Sequence, residues 1–248
     1  MLAKRIIAVL TFDNGSLTRT KNFIQDYHYT KNFINNSLFD GIVLIDVSRN
    51  KKQRKKFYDV IKNFSKNCFV PITVGGMIDN IDEIRLFQNF GVDKILVNSM
   101  SVKNEKLLKN AINIFGNQFI VIGLDVKKER NSYNFYYNNG QKKINTSFAK
   151  WINKIKQLNP GEILLQSIDR DGSLMGYDLK IIKKIKNYFE CPILVCGGAG
   201  NWEHFVEVFK KCDVDAACTN NIYHLTHKSI LSSKLFCIHR NIEIRLEK

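Results

Sequence analysis

Short runs of consecutive apolar residues recur along the chain, and amphipathic stretches lie between them. Continuous apolar runs of this kind are typical of strands buried on both faces, as in a parallel sheet. The stretches 82–90 and 203–212 carry apolar residues at helical spacing instead. This alternation predicts an α/β fold, a TIM (β/α)8 barrel, for which 248 residues is an ordinary length. The predicted strands are residues 6–10, 42–46, 72–75, 95–98, 119–125, 163–167, 193–196 and 216–219.

The two halves of the chain also resemble each other. Thr73-Val74-Gly75-Gly76 aligns with Val195-Cys196-Gly197-Gly198, and the same spacing brings Val92-Asp93 onto Val214-Asp215 and Asn98-Ser99 onto Asn220-Asn221. With a somewhat shorter spacing, Leu10-Thr11 falls on Leu124-Asp125. Four matches in one order indicate two half-barrels related by a pseudo-twofold axis.

Each match lies at the carboxyl end of a predicted strand, where TIM barrels carry their active sites. Glycines such as Gly75-Gly76 and Gly197-Gly198 let the backbone approach a ligand closely, because they have no Cβ. Asn98-Ser99 and Asn220-Asn221 add side-chain donors suited to phosphate oxygens. We therefore expect two phosphate sites and an elongated ligand with a phosphate at each end. A diglycine that merely turns the chain is the alternative.

Composition narrows the class of protein. Hydrophobic residues make up 44%, and three prolines with no Gly/Ser-rich run offer no linker, so we expect a single domain over residues 1–248. The formal charge is +15. The basic clusters at 51–56, 127–130 and 183–186 lie at helical spacing or beside turns, as solvated faces do, and no nucleic-acid motif accompanies them. We expect attraction to anionic ligands and no nucleic-acid partner.

The remaining compositional features exclude further classes. No apolar stretch approaches the length of about 18 residues that suggests a membrane span, and no secretory signal is evident, so we expect a cytoplasmic protein without a membrane partner. The six cysteines form no CxxC pair and the five histidines no HExxH pattern. We therefore expect reduced thiols, no metal site and no cofactor.

Several longer motifs resemble a known family. They are Met1-Leu2-Ala3-Lys4-Arg5-Ile6-Ile7-Ala8, Gly161-Glu162-Ile163-Leu164-Leu165, Ser167-Ile168-Asp169-Arg170-Asp171-Gly172 and Gly197-Gly198-Ala199-Gly200. Together they resemble the cyclase subunit of imidazole glycerol phosphate synthase, nearly from end to end. The resemblance implies a glutaminase subunit on the N-terminal barrel face. Its ammonia crosses the barrel interior to a bisphosphate ribulosyl aminoimidazole nucleotide at the opposite face.

The resemblance also implies site residues. The family uses two aspartates as an acid/base pair; Asp125 matches one of them, and Thr11 stands where the other is expected. Arg19 stands where a loop lysine meets the substrate phosphate, Gln166 replaces a substrate-facing threonine, and Met77 replaces a phosphate-loop glycine. The other substrate or phosphate contacts implied are Asn98, Ser99, Asp171, Gly172 and Gly198, with Asn220-Asn221 in place of a small Ala-Ser pair.

At the opposite face the resemblance implies a ring of charged residues at the ammonia entrance. Arg5, Lys94 and Glu162 match three of its four places, and Gly41 occupies the fourth. Asp93 matches a position that helps meet the glutaminase. Charges at the bottom of a barrel also serve stability, and both roles are compatible.

An altered reaction centre combined with a retained entrance resembles a paralogue group, the glycosyl amidation-associated proteins. These are thought to supply ammonia for amidating a bacterial surface sugar. Our hypothesis is that this chain is such a paralogue. One alternative is a genuine cyclase that tolerates Thr11; another is a non-catalytic scaffold that only activates its glutaminase partner.

Overall fold

The apolar runs form parallel strands of a closed barrel in the computed structural model, which describes residues 3–28, 39–48, 51–220 and 230–246. All the strands predicted from the sequence are confirmed, with shifts of a few residues at their ends. In chain order the strands are β1 (Arg5–Asp13), β2 (Ser16–Lys21), β3 (Ile24–His28), β4 (Gly41–Asp46), β5 (Ile72–Gly75), β6 (Lys94–Val97), β7 (Ile120–Glu129), β8 (Ser132–Tyr137), β9 (Lys142–Lys143), β10 (Glu162–Ser167), β11 (Ile193–Cys196) and β12 (Ala216–Thr219).

The parallel strands close in the order β1-β4-β5-β6-β7-β10-β11-β12, with β12 pairing back to β1. This is the predicted TIM barrel. Helices follow the barrel strands and cover the outside. They are α1 (Arg54–Asn67), α2 (Ile81–Asn89), α3 (Ser99–Lys103), α4 (Glu105–Phe115), α5 (Phe148–Gln157), α6 (Leu179–Lys186), α7 (Trp202–Cys212) and α8 (Ile230–His239), with short 3₁₀ turns at Lys51–Gln53, Asn117–Phe119 and Ile168–Arg170.

Side chains on the barrel strands alternate between two cores, as strand geometry requires. One set packs outward against the helices and includes Phe12, Leu44 and Ile95. The other fills the barrel interior and is almost entirely apolar. Its members include Ile7, Val9, Val43, Leu96, Val121, Leu164, Leu194, Cys196, Ala216 and Cys218.

The predicted pseudo-twofold repeat is visible in the strand order. Each half begins with a long strand that continues into an antiparallel hairpin: β1 pairs with β2, and β7 pairs with β8. In the first half Thr11 lies opposite Ile45, and in the second Asp125 lies opposite Gln166. Because these pairs occupy matching positions in matching strands, Thr11 and Asp125 are equivalent under the repeat.

The diglycines, however, are offset by one residue from the alignment drawn on the sequence. Gly76 (φ 95°) matches Gly197 (φ 98°), and Met77 (φ 50°) matches Gly198 (φ 106°). A Cβ on Gly76 would lie 2.2 Å from the carbonyl oxygen of Asp46, and one on Gly197 would lie 2.7 Å from that of Ser167. Both glycines are therefore required by a close backbone approach beside a neighbouring strand end.

Two helix caps lie at equivalent positions in the two half-barrels. The Asn80 side chain accepts a hydrogen bond from the Glu83 N–H (2.7 Å), and the Asn201 side chain accepts one from the His204 N–H (3.2 Å). We expect Asn80→Ala and Asn201→Ala each to cost about 1 kcal/mol in the free energy of unfolding. The double variant should cost about the sum, because the caps lie in different halves of the barrel.

Urea denaturation measures these losses. Asn110→Ala, in the exposed middle of α4, is the matched control and should raise the unfolding midpoint slightly, because Ala is a better helix former than Asn. An equal loss in the control, or no loss in either cap variant, would contradict the prediction.

The structure can also be searched for membrane-spanning helices, metal-binding groups and disulfides. Across the described ranges, no helix is long and apolar enough to cross a membrane. The same residues contain no group of three or more His, Cys, Asp or Glu side chains placed to hold a metal ion. All six cysteines are free thiols.

Candidate functional site

A cavity of about 120 Å³ opens at the carboxyl ends of the barrel strands, and we call it the inner cavity. Its wall is part apolar, with Ile45, Leu96 and Leu164, and part polar. Six of the residues predicted for the site line it together: Thr11, Gly76, Asn98, Ser99, Asp125 and Gln166.

Asp125 is the ionisable side chain in this lining. Burial raises the pKa of its carboxyl group to about 7, and the charge of Asp171 acts in the same direction, while a hydrogen bond from Asn98 opposes both. The carboxyl group is therefore divided between its protonated and ionised forms near neutral pH. Such a group can both accept and donate a proton, as general acid–base catalysis requires.

Thr11 faces the same cavity from the opposite half-barrel and is only 5% exposed. Its hydroxyl group donates a hydrogen bond to the carbonyl oxygen of Thr18 (2.7 Å) and accepts one from the Asn220 amide (3.4 Å). A hydroxyl group held in this way keeps its proton near neutral pH. Among the described residues of its lining, the inner cavity thus has a titratable carboxyl group on one side of the pseudo-twofold axis and none on the other.

The glycine-rich loops of the second half line a separate space of about 20 Å³, the second cavity. A volume of this size holds roughly one water molecule. The side-chain oxygens of Thr219 and Asn220 are buried there without a hydrogen-bond partner in the described part of the chain. The predicted residues that line it are Asp171, Gly172, Gly197, Gly198 and Asn220.

The remaining predicted substrate residues lie elsewhere. Arg19, on β2, forms an ion pair with Asp26 of β3 and lines neither cavity. Gly75 lies beneath the inner cavity, where a Cβ would be only 3.0 Å from the Leu96 side chain. Asn221 lies outside the described residues.

A buried ionic network that the sequence pattern did not predict supports the Gly76 loop. Arg54 forms ion pairs with Asp46 (2.7 Å) and Glu83 (2.8 Å) and donates a hydrogen bond to the carbonyl oxygen of Gly76 (2.6 Å). Tyr58 donates to the same Glu83 carboxylate (2.9 Å). Arg54 belongs to the basic cluster at 51–56, which the sequence pattern predicts to be a solvated face; for Arg54 that prediction is wrong, because the side chain is buried.

The hairpins also contribute to the inner cavity. Thr20 and Phe23 come from the β2–β3 segment, and Asn139 follows β8. The Asn139 amide donates a hydrogen bond to the carbonyl oxygen of Val47 (3.1 Å), which ties the second hairpin to the first half-barrel. Gly15 lies in the turn between β1 and β2, and Gly140 lies in the turn between β8 and β9; these glycines were the turn signals that the sequence offered.

At the opposite face, three of the predicted entrance residues meet. One carboxylate oxygen of Glu162 accepts from Arg5 (3.0 Å) and from Lys94 (2.9 Å). Gly41 adds no side chain, although a Cβ there would have only ordinary contacts, the nearest at 3.5 Å. Asp93 lies at the same end of the barrel, where it accepts a hydrogen bond from the Ile72 N–H (2.8 Å).

The apolar interior core separates this charged ring from the inner cavity. The two ends of the barrel therefore differ sharply in chemistry. One end carries two cations on a single carboxylate, and the other carries a partly protonated carboxyl group beside amide and hydroxyl groups.

Comparison with known proteins agrees with this architecture. The family described as histidine biosynthesis protein matches residues 8–228. The imidazole glycerol phosphate synthase subunit HisF of Clostridium botulinum (strain Okra / Type B1) is 34% identical over 253 residues, which covers 99% of this chain and 100% of the relative. The subunits of the same name from Hydrogenobaculum sp. (strain Y04AAS1) and Bacillus cereus (strain G9842) are also 34% identical, with the same coverage.

The resemblance drawn from the sequence motifs is thereby confirmed over the whole length of the chain. The barrel, the repeat and the full-length matches together show that this chain belongs to the histidine biosynthesis protein family, as a homologue of imidazole glycerol phosphate synthase subunit HisF.

Proposed function

We propose that the chain is a cyclase-type synthase subunit that takes ammonia from a glutaminase partner and adds it to a phosphorylated acceptor. One observation supports this proposal above the others: the barrel has a different chemical group at each end of an apolar interior. Asp125, whose pKa is raised to about 7, lies at one end, and the ring of Arg5, Glu162 and Lys94 lies at the other. The relatives are named as subunits of a synthase, and a synthase of that kind needs a nitrogen source.

The barrel interior favours neutral ammonia over ammonium. Its lining is apolar, and burying an unpaired cation there would carry a large desolvation cost. In this proposal the glutaminase docks on the N-terminal face near Asp93, and ammonia enters beside Glu162. The cations around Glu162 repel ammonium and leave the neutral molecule free to pass.

At the inner cavity, Asp125 moves the protons. The ammonia nitrogen attacks an electrophilic carbonyl carbon of the acceptor, so that a C–N bond forms and the carbonyl electron pair shifts to oxygen. Asp125 in its protonated form donates to that oxygen, and its carboxylate then accepts the surplus proton from nitrogen. Gly76, Asn98, Ser99 and Gln166 would hold the phosphorylated acceptor.

The acceptor distinguishes two branches of this proposal. Thr11 in place of a second carboxyl group favours the paralogue branch, amidation of a bacterial surface sugar, because the cyclisation in histidine biosynthesis uses a pair of acids in the family. The full-length identity of 34% to subunits named HisF favours the histidine branch. A scaffold that only activates its glutaminase would need neither Asp125 nor an open cavity.

Isotope competition tests the proposal. The barrel is purified with a synthase-type glutaminase and given glutamine labelled with ¹⁵N at the amide, unlabelled ammonium, and either the bisphosphate ribulosyl aminoimidazole nucleotide or a panel of sugar phosphates. Product enriched in ¹⁵N above the bulk ammonium pool supports the conduit. Product at the bulk isotope ratio contradicts it, and an activated glutaminase without any product supports the scaffold.

The entrance ring makes a specific prediction. Glu162→Gln should lower incorporation of glutamine-derived nitrogen severalfold, because Arg5 and Lys94 lose their shared carboxylate and the ring reorganises. Turnover with saturating external ammonium should change little. Glu190→Ala, an exposed carboxylate ahead of β11, is the control and should leave both rates unchanged. Equal losses of turnover with glutamine-derived nitrogen and with external ammonium would show that the substitution damages the fold rather than the entry of ammonia.

A further inference from the structure

Two helices on the outside of the barrel carry many lysines and no acidic residue. α5 (Phe148–Gln157) and α6 (Leu179–Lys186) contain neither aspartate nor glutamate. Two of their lysines are engaged by carboxylates of other elements. The other five are exposed and form no ion pair with a carboxylate of the described residues, and we call their surface the basic face. They are Lys150, Lys156, Lys180, Lys183 and Lys184.

The two helices of the basic face pack against each other. The amino group of Lys184, on α6, lies 3.9 Å from the centre of the ring of Phe148, the first residue of α5. The ring of Tyr188, just after α6, packs edge-on against Phe148 at 6.2 Å. Packed helices lie about 10 Å apart, and charges in physiological salt are screened over about 8 Å. The charges of the basic face therefore act together on a surface that approaches them.

The lysines of α1 are arranged differently. α1 connects β4 to β5 and α6 connects β10 to β11, so these helices lie on opposite sides of the barrel. The exposed surface of α1 includes the carboxylate of Asp59 among its lysines, which are Lys55, Lys56, Lys62 and Lys66. Near α6, the acids lie beyond the helix ends: Asp178 precedes it and accepts a hydrogen bond from Tyr133, and Glu190 follows it. The basic face is therefore not interrupted by an acid on either of its helices.

A groove of about 740 Å³ runs beside α5 and distinguishes between classes of anionic partner. Its lining includes the apolar side chains of Val102, Ile144 and Trp151, together with Lys150 and Lys154 of α5. A nucleic acid offers phosphates to the lysines but leaves an apolar groove unfilled. A bilayer of anionic phospholipids offers phosphates and, beneath them, apolar chains. The groove and the basic face on one helix therefore favour a lipid surface.

We propose that the basic face binds the surface of an anionic phospholipid bilayer, with α5 and α6 turned toward the headgroups. The barrel then lies on its side, and both of its ends stay open to a partner and to an acceptor. Binding of this kind needs no membrane-spanning helix, and the described residues contain none. The proposal replaces the expectation of no membrane partner, which depended on the lack of an apolar span. It goes beyond ammonia transfer and does not depend on it.

Vesicle sedimentation at physiological salt tests the proposal with the full chain. The protein should bind vesicles of equal parts phosphatidylcholine and phosphatidylglycerol and should not bind vesicles of phosphatidylcholine alone. Each lysine near an anionic surface contributes about fivefold to binding, so the triple variant Lys156→Gln, Lys180→Gln, Lys183→Gln should bind about 100-fold more weakly. The matched control is a triple variant of exposed α1 lysines, with the same change in net charge on the opposite side of the barrel. It should bind nearly as well as the unaltered protein, and its changes are Lys55→Gln, Lys56→Gln and Lys66→Gln.

Equal losses in the two triple variants would overturn the proposal, because they would show that net charge alone drives binding. No binding to the phosphatidylglycerol vesicles would also overturn it, and so would equal binding to both kinds of vesicle. A short DNA duplex that is bound through the same lysines, without any vesicle binding, would assign the basic face to nucleic acid instead. Thermal denaturation verifies that both variants fold. The experiment uses neither glutaminase nor acceptor, so its failure leaves ammonia transfer standing.

Discussion

Asp125→Asn is expected to lower ammonium-dependent turnover of the acceptor by about 10²–10⁴-fold. Asparagine keeps the size of the side chain and its contact with Asn98, but it cannot exchange a proton near neutral pH. Turnover is measured with saturating external ammonium, so that entry through the barrel does not limit the rate. In the unaltered protein the rate should depend on pH around 7, where the Asp125 carboxyl group changes its charge.

Stability provides the control for folding. The pKa of Asp125 is about 7 in the folded barrel against an ordinary value of 3.8, so the folded state binds the extra proton between these limits. The stability contributed by this proton is complete at pH values below the ordinary pKa and is lost as the pH rises through 7. Asp125→Asn should therefore gain stability relative to the unaltered protein as the pH is raised from 4 to 8.

Asp59→Asn, on the exposed face of α1, is the matched variant and should keep both its turnover and its pH dependence. A folded Asp125→Asn protein that turns over at the normal rate would exclude Asp125 as the proton carrier. Inactivity accompanied by lost stability at pH 8 would assign the effect to the fold.

The barrel strands could be predicted from the sequence because each is apolar on both faces. Runs such as 42–46 and 163–167 can be buried only between an interior core and a helical layer. The hairpins β2–β3 and β8–β9 were not predicted, since they are short, partly exposed and polar, and they pair only as extensions of β1 and β7. Their pattern resembles that of ordinary loops.

Site residues on strands could be predicted from the sequence, because the position of a residue along a strand determines the direction of its side chain. Thr11, Asp125 and Gln166 come together because they lie near the carboxyl end of the barrel on neighbouring or symmetry-related strands. Arg54 could not be identified from its sequence neighbours, because its burial depends on Asp46 and Glu83, which come from other parts of the chain. The difference in size between the inner cavity and the second cavity, as the described residues line them, likewise depends on loop packing rather than on strand pattern.

On the histidine branch of the proposed function, Thr11→Asp is expected to raise turnover of the bisphosphate ribulosyl aminoimidazole nucleotide by about 10²–10⁴-fold, because it supplies the second acid of the pair. The new carboxyl group would be buried and would face the carbonyl oxygen of Thr18, which now accepts from the Thr11 hydroxyl. Burial and a neighbouring acceptor both favour the protonated form and raise the pKa. The residue would thus donate a proton while Asp125, in its ionised form, accepts one.

Thr11→Asn separates proton transfer from the shape of the side chain. It has the size of aspartate and can accept from Asn220, yet it cannot donate a proton as an acid does, so it should give no gain. Thermal denaturation verifies that both variants fold. A gain confined to Thr11→Asp means that the rest of the cavity still fits the histidine-pathway substrate and that one lost proton carrier separates this chain from a working cyclase. A folded Thr11→Asp protein without any gain means that the cavity no longer holds that substrate productively, which contradicts the prediction and leaves the sugar acceptor as the branch that explains Thr11.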